Sequence, residues 1–156
     1  MIADLEIAEV DATSSWMPVL VALFESYRGH YGQPMNLVES RDWLSSQLAS
    51  GDLRGYLARR DGEPAGMALV ASTTASLRLG HSWQLRDLYV AERHRRQGVG
   101  HALVAHVRDA AVADGALRLS LITEADNVRA LALYRDLGFK PVSGYTSLSL
   151  QTEISS

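Results

Sequence analysis

The residues with the clearest chemical potential lie in one stretch of the chain. Leu85-Arg-Asp-Leu-Tyr-Val90 reads as a strand, a loop over 91–97 carries Arg93, Arg95 and Arg96, and Gly98-Val-Gly100 opens the following helix. The first N–H groups of a helix have no intrahelical acceptor, and the aligned peptide dipoles add about half a positive charge at that end. Glycine lets a ligand reach this backbone without a Cβ in the way. With arginines beside it, the turn suits a pyrophosphate. The plainer alternative is a solvated basic loop whose glycines only make the turn. Two nucleotide motifs fail here. A P-loop needs a lysine after its second glycine, and the sole lysine of the chain is Lys140. A dinucleotide fingerprint needs a small residue three positions after its second glycine, where Leu103 stands.

A second group lies downstream. Asn127, Ala130, Leu131 and Tyr134 follow i, i+3, i+4, i+7 spacing, so on a helix they share one face and can look into one cleft. On these residues alone, a core tyrosine and an asparagine cap are the simpler account. His30, His81, His94, His101 and His106 show neither an HExxH motif nor i, i+4 pairing, and no cysteine is present, so no metal site is expected. His101 lies one position past the glycine pair, within reach of a phosphate. No GxSxG motif suggests a covalent acyl-enzyme.

These groups must be positioned by α+β architecture. Strand-like runs cover 3–10, 53–60, 64–74, 83–90, 117–123 and 142–150, and Asp61-Gly62 is a strong hairpin turn between the second and third. Helical patterns cover about 16–27, with Ser14 or Ser15 as N-cap, then 38–49, 98–114 and 126–137. Gly51, Gly115 and Gly138 end the last three. The order β-α-α-β-β-β-α-β-α-β predicts hairpins early and a parallel βαβ crossover late.

Composition fits that picture. The chain has 156 residues, 47% apolar and 21% charged, with a net charge of −3. This suits one soluble domain over 1–156 and offers no global field to attract nucleic acid. The longest apolar run, Met17 to Phe24, is broken by Pro18 and falls far short of a membrane span. The acidic opening (Asp4, Glu6, Glu9) does not fit a secretory leader, so the cytoplasm is the expected location.

The sequence also resembles a known family. Arg95-Arg96-Gln97-Gly98-Val99-Gly100 fits the R/Q-x-x-G-x-G/A signature of the GNAT superfamily of acyl-CoA-dependent N-acetyltransferases. Asn127, Ala130, Leu133-Tyr134 and Gly138-Phe139 match its N-x-x-A-x-x-x-Y-x-x-x-G-F segment, and Asp87-Leu88-Tyr89-Val90 its DLYV-type strand. Together these cover roughly 60–145, in order. The amino-terminal half, with Tyr27, Tyr31 and Trp43, is similar to the branch of diamine and other small-amine acetyltransferases, less specifically.

The resemblance implies a twisted, mostly antiparallel sheet of six or seven strands flanked by four helices. It implies acetyl-CoA as co-substrate and coenzyme A as product, with direct acetyl transfer to a small-molecule primary amine in a ternary complex. Acetylation of a protein N-terminus or lysine, and a non-catalytic acyl-CoA-binding regulatory module, are the alternatives. The implied cofactor contacts are Leu88, Tyr89 and Val90 along the strand, Arg95, Arg96, Gln97, Gly98, Val99, Gly100 and His101 in the loop, and Asn127, Ala130 and Tyr134 on the last helix. A bulge in the strand would splay it from its neighbour, and a backbone N–H near Leu88 would face the developing oxyanion. Tyr134 would be the general acid for the departing thiolate, since a phenol near pKa ~10 can assist a thiol near ~8.5. Asp87, Glu92 and Glu124 stay open as bases. Polyamine-type relatives tend to carry Glu where Arg86 stands, a departure that disfavours a polyamine. Similar proteins are often dimers, and a terminal strand bearing Leu148 and Leu150 could support a shared sheet, so a homodimer is expected.

Overall fold

The computed structural model describes residues 4–153; the ends of the expected 1–156 domain, including residue 3 of the first expected strand, lie outside the described residues. Along the chain come β1 (Leu5–Val10), α1 (Met17–His30), α2 (Leu37–Ser50), β2 (Leu53–Arg60), β3 (Glu63–Ala75), β4 (Gly80–Val90), α3 (Val99–Ala113), β5 (Leu119–Leu121) and α4 (Val128–Asp136). Short 3-10 turns occupy Ser76–Arg78 and Glu92–His94. No helix among the described residues is long and apolar enough to cross a membrane.

Local chemistry explains most boundaries. The Asn36 side chain accepts the Glu39 N–H at 3.1 Å to cap α2, and Gly51 ends it at a φ of +81°. Asp61 and Gly62 both hold positive φ, +50° and +81°, as a two-residue hairpin turn requires. The start of α1 differs from expectation. Its N-cap is Trp16 with no side-chain bond, because Ser14 Oγ is used one turn earlier, accepting the Trp16 N–H at 3.1 Å.

The sheet runs β1-β2-β3-β4-β5, with the first three pairings antiparallel and β4–β5 parallel. Strand alternation sorts the apolar side chains between two layers. Leu57, Met67 and Leu69 meet Leu20, Val21 and Phe24 of α1 and Leu44 of α2. Tyr56, Ala58, Ala68 and Val70 face Val99, Leu103, Val104 and Val107 of α3. Asp114, just past α3, accepts the Trp83 indole N–H at 3.1 Å and sits 2.9 Å from His81 Nε2. The His81 bond, helped by Arg54 and Trp83, holds its carboxyl below the usual range, and the contact anchors the return of the chain toward β5.

Gly66 sets how closely α3 lies on β3. A Cβ there would come within 2.9 Å of the Tyr89 carbonyl, 3.1 Å of Leu103 and 3.2 Å of Val99. Because the nearest atom is backbone, Gly66→Ala is expected to destabilise by about 1–3 kcal/mol, the usual range for overpacking. A denaturant melt measures this, and an unchanged midpoint would refute the close-packing account.

The strand count corrects the sequence reading. Five strands form among the described residues, against six or seven expected, and 142–150 is not a strand. Its alternating pattern supplies propensity, but a strand needs a neighbour, and no backbone hydrogen bond ties residues 140–153 to the rest of the described chain. The fifth strand is also shorter than the expected 117–123, pairing with β4 only through Leu119–Leu121.

Candidate functional site

The site begins with an irregularity in β4. Leu69 pairs with Asp87 while the next residue, Val70, pairs with Leu85, so Arg86 is an unpartnered bulge residue. An extra residue reverses side-chain parity. Before the bulge, odd-numbered Trp83 and Leu85 pack on the α3 side; after it, even-numbered Leu88 and Val90 do. Tyr89 turns to the α1 layer. Asp87 shares that parity, and the Tyr27 hydroxyl of α1 donates to its Oδ1 at 2.6 Å.

Pairing between β4 and β5 stops at Leu85 and Leu121, so the strands part beyond the bulge. Between them opens a cavity of about 440 Å³, lined by Arg86, Asp87 and Leu88 of β4, Ile122, Thr123 and Glu124 after β5, Tyr27 and Tyr31 from the α1 end, and Asn127, Ala130 and Tyr134 at α4. The bulge and the slot that the family resemblance implied are therefore both present. Beyond Leu85, the β4 edge facing the slot has no strand neighbour.

Two phenols in this slot are held protonated. Burial, reinforced by the bond to Asp87, pushes the Tyr27 hydroxyl well above the ordinary phenol range. Burial, with a smaller contribution from Tyr31, raises Tyr134. The Tyr134 ring packs edge-on against Phe139 at 5.7 Å, which fixes its direction from α4. Asn127 does two things at once: its Oδ1 accepts the Ala130 N–H at 3.1 Å, capping α4, and the residue lines the slot. Among the three carboxylates considered as bases, Asp87 and Glu124 reach the slot, whereas Glu92 lies on the 3-10 turn outside its lining.

The glycine-bearing loop lies beside the slot. Gly98 is the N-cap of α3 with φ +83°, and Arg96 before it has φ +63°. The amides of Arg96, Gln97, Gly98, Val99, Gly100 and His101 meet no acceptor among the described residues. A Cβ built on Gly100 would lie 3.6 Å from both Val90 of β4 and Leu133 of α4, so the cradle is seated where the strand and the last helix meet. The arginines divide their work. Arg95 donates from Nε to the Val90 carbonyl at 3.0 Å and lies over the Tyr89 ring, which occupies one lone pair of that carbonyl. Arg60 holds the Gln97 carbonyl at 3.2 Å. Val99 is buried in the α3 side of the core, and His101 Nε2 sits 2.7 Å from Asp136 Oδ2, linking α3 to α4.

Sequence reading missed Ile122, Thr123, Leu85 and Leu121 as slot residues. The available signal was topological: in a parallel βαβ unit, ligands gather beyond the carboxyl ends of the strands. Trp43, grouped with Tyr27 and Tyr31 by the resemblance, instead stacks on Phe24 at 5.9 Å and does not line the slot.

Known proteins agree with this geometry. The model of the Acetyltransferase (GNAT) family matches residues 16–139. An uncharacterized N-acetyltransferase of Bacillus subtilis (strain 168), YhfO, is 29% identical over 139 residues, covering 89% of this chain and 93% of its own. The crystal structure of a probable acetyltransferase superposes with a TM-score of 0.87 at 30% identity, over 96% of this chain and 99% of that one. An aminoglycoside acetyltransferase from an uncultured soil metagenomic sample, solved with trehalose, shares the fold at a TM-score of 0.79 and 15% identity, covering 97% of each chain. With its slot, bulge and α3 cradle in place, the chain belongs to the GNAT family of N-acetyltransferases.

Proposed function

We propose that this enzyme acetylates a primary amine of a small molecule, the acetyl group passing directly from acetyl-CoA within a ternary complex. The observation that carries the reading is the convergence of Tyr134, Asp87 and Glu124 on one slot beside six amides without acceptors. Membership of the family implies acetyl-CoA, which supplies an activated acyl group. The residues fit it. The amides of 96–101 and the free arms of Arg95 and Arg96 suit its pyrophosphate. The unpaired β4 edge around Leu88 suits the amide-bearing arm, with Asn127 and Ala130 on the opposite wall.

The chain's own residues then divide the proton handling. Tyr134 keeps a proton on its phenolic oxygen at neutral pH because burial disfavours the phenolate, and it is the donor for a departing thiolate. Asp87 and Glu124 face an ammonium from two sides, and either can accept its proton. A cavity of about 440 Å³ falls in the range of small-ligand sites. Arg86 at its rim disfavours a long polycation and suits an acceptor that also carries an anionic group.

A thiol-reagent assay of coenzyme A release, run across simple amines, amino acids and peptides, tests the reading. Release with small amines alone supports it; release only with peptides moves the acceptor to protein, and none with any amine points to a binding module. In the same assay, Asp87→Asn should lower kcat/KM about 10²-fold and flatten its rise with pH, with Glu124→Gln as the comparison. Wild-type profiles in both variants would leave deprotonation to solvent.

A further inference from the structure

The loop that leads into the cradle is held by the turn between β2 and β3, where Arg60 and Glu63 form the last pair of the hairpin. The contacts follow the loop from start to end. A register shift leaves Ala65 without a partner on β2, and its carbonyl accepts the Ala91 N–H at 2.8 Å. The Glu63 carboxylate lies 3.4 Å from both the Arg93 guanidinium and His94 Nε2. Arg60 reaches farthest, donating from Nη1 to the Gln97 carbonyl at 3.2 Å. The turn is itself tied to the start of β1: the Asp61 N–H donates to the Asp4 carbonyl at 2.7 Å, and the Asp4 N–H to Asp61 Oδ1 at 3.0 Å. Arg59 and Arg93 pair with the carboxylates of Glu6 and Glu63, whereas Arg60 takes a carbonyl.

That carbonyl belongs to a peptide with a second orientation open to it. A trans peptide is planar, so its C=O and N–H point in opposite directions. Holding the Gln97 carbonyl toward Arg60 sends the Gly98 N–H the other way, as one of the cradle donors without an acceptor. Half a turn of the same plane changes only ψ at Gln97 and φ at Gly98, and puts the oxygen where the N–H had been. Gly98 sits at φ +83° and tolerates the opposite sign equally, so the glycine that makes the turn also permits the flip. Among the described residues no backbone N–H outside the helices and strands bonds the Gln97 carbonyl, which leaves Arg60 to hold it. A carbonyl oxygen aimed into the cradle would repel a phosphate.

We propose that Arg60 is a positioning residue for the cofactor: it locks the Gln97–Gly98 peptide with its N–H facing the phosphates and so presets the cradle before coenzyme A arrives. The inference rests on the reading of 96–101 as the pyrophosphate site. Without the lock, the apparent Kd rises in inverse proportion to the fraction of molecules whose peptide is correctly turned. Loss of a bond from a charged donor shifts such a balance by about 10-fold.

Arg60→Met keeps the aliphatic stem and removes the donors. Calorimetric titration with coenzyme A should show about 10-fold weaker binding at an unchanged thermal midpoint, and Arg60→Lys, which can still donate to the carbonyl, should recover most of the affinity. The ratio of variant to wild type should be the same at about 0.1 M and about 1 M salt, because a peptide lock is not screened as an exposed ion pair is. In amide NMR spectra of the free Arg60→Met protein, the Gly98 resonance should be broadened by exchange between the two orientations and sharpen at saturating coenzyme A. Unchanged affinity overturns the proposal. So does a loss that vanishes at high salt, which makes Arg60 a direct phosphate contact, and so does weaker binding with a sharp Gly98 resonance. Coenzyme A that binds the wild-type protein without moving the amides of 96–101 refutes the phosphate site itself, and the lock with it.

Discussion

Replacing Tyr134 by phenylalanine is expected to lower turnover about 10²–10⁴-fold, the usual weight of a positioned general acid. The substitution keeps the ring, its edge-on packing against Phe139 and its place on α4, and removes only the hydroxyl. The structure makes this test cleaner than the sequence alone could. Tyr134 has no hydrogen-bond partner among the side-chain bonds of the described residues, so no other contact is broken by the change. Burial raises its pKa, so the hydroxyl stays protonated through neutral and mildly alkaline pH. The wild-type rate should therefore show no loss attributable to this group below about pH 10, the ordinary phenol value. Binding of acetyl-CoA should change little, since the cradle amides and the β4 edge supply those contacts. A variant that binds poorly yet turns over normally at saturation would make the hydroxyl an anchor. Equal activity for both proteins from pH 6 to 9 would remove the acid assignment, and the thiolate would have to take its proton from water.

The second large effect concerns the cradle. Gly100→Glu is expected to weaken acetyl-CoA binding about 100-fold or more, equivalent to about 2.8 kcal/mol at 1.4 kcal/mol per decade. The fold should survive. A Cβ at Gly100 would make only ordinary contacts at 3.6 Å with Val90 and Leu133, and nothing forces a shift. Glutamate is a better helix former than glycine, and a carboxylate in the first turn of α3 is favoured by the dipole, so the melting temperature should hold or rise. The same charge sits where phosphate would approach, so stability and affinity should move in opposite directions. Calorimetric titration beside a thermal melt checks both. Unchanged affinity in the folded variant would show that the amides of 96–101 are not the phosphate site.

Much of the site was legible in the residues because its parts are local. A glycine-bearing turn after a strand needs only neighbours in sequence to form a helix N-terminus, and Gly98 takes the N-cap position with six open amides around it. The i, i+3, i+7 spacing of Asn127, Ala130 and Tyr134 carries its own geometry, so their common wall of the slot follows from helical period. The Asp61-Gly62 hairpin, the four helices and the late parallel crossover are likewise products of turn chemistry and periodicity.

What the sequence by itself determined, then, were the elements as far as α4, their order and the backbone cradle, since each depends on interactions within a few residues. Tertiary structure decided what those elements met. Strand period alone would keep Asp87 on the same face as Leu85; the bulge at Arg86 reverses that, sending Asp87 to Tyr27 on α1, sixty residues away. A bulge answers to the register of two strands, so strand periodicity in one of them does not show it, and only the family resemblance implied one here. The same holds for 142–150. Its alternation states a preference for pairing, but backbone hydrogen bonds need a partner, and within this chain the described tail finds none. Which of the three open carboxylates reached the slot was also decided in three dimensions: Asp87 lines it beyond the bulge, Glu124 follows β5 into the opening where pairing with β4 has ended at Leu85 and Leu121, and Glu92 lies on its 3-10 segment outside the lining.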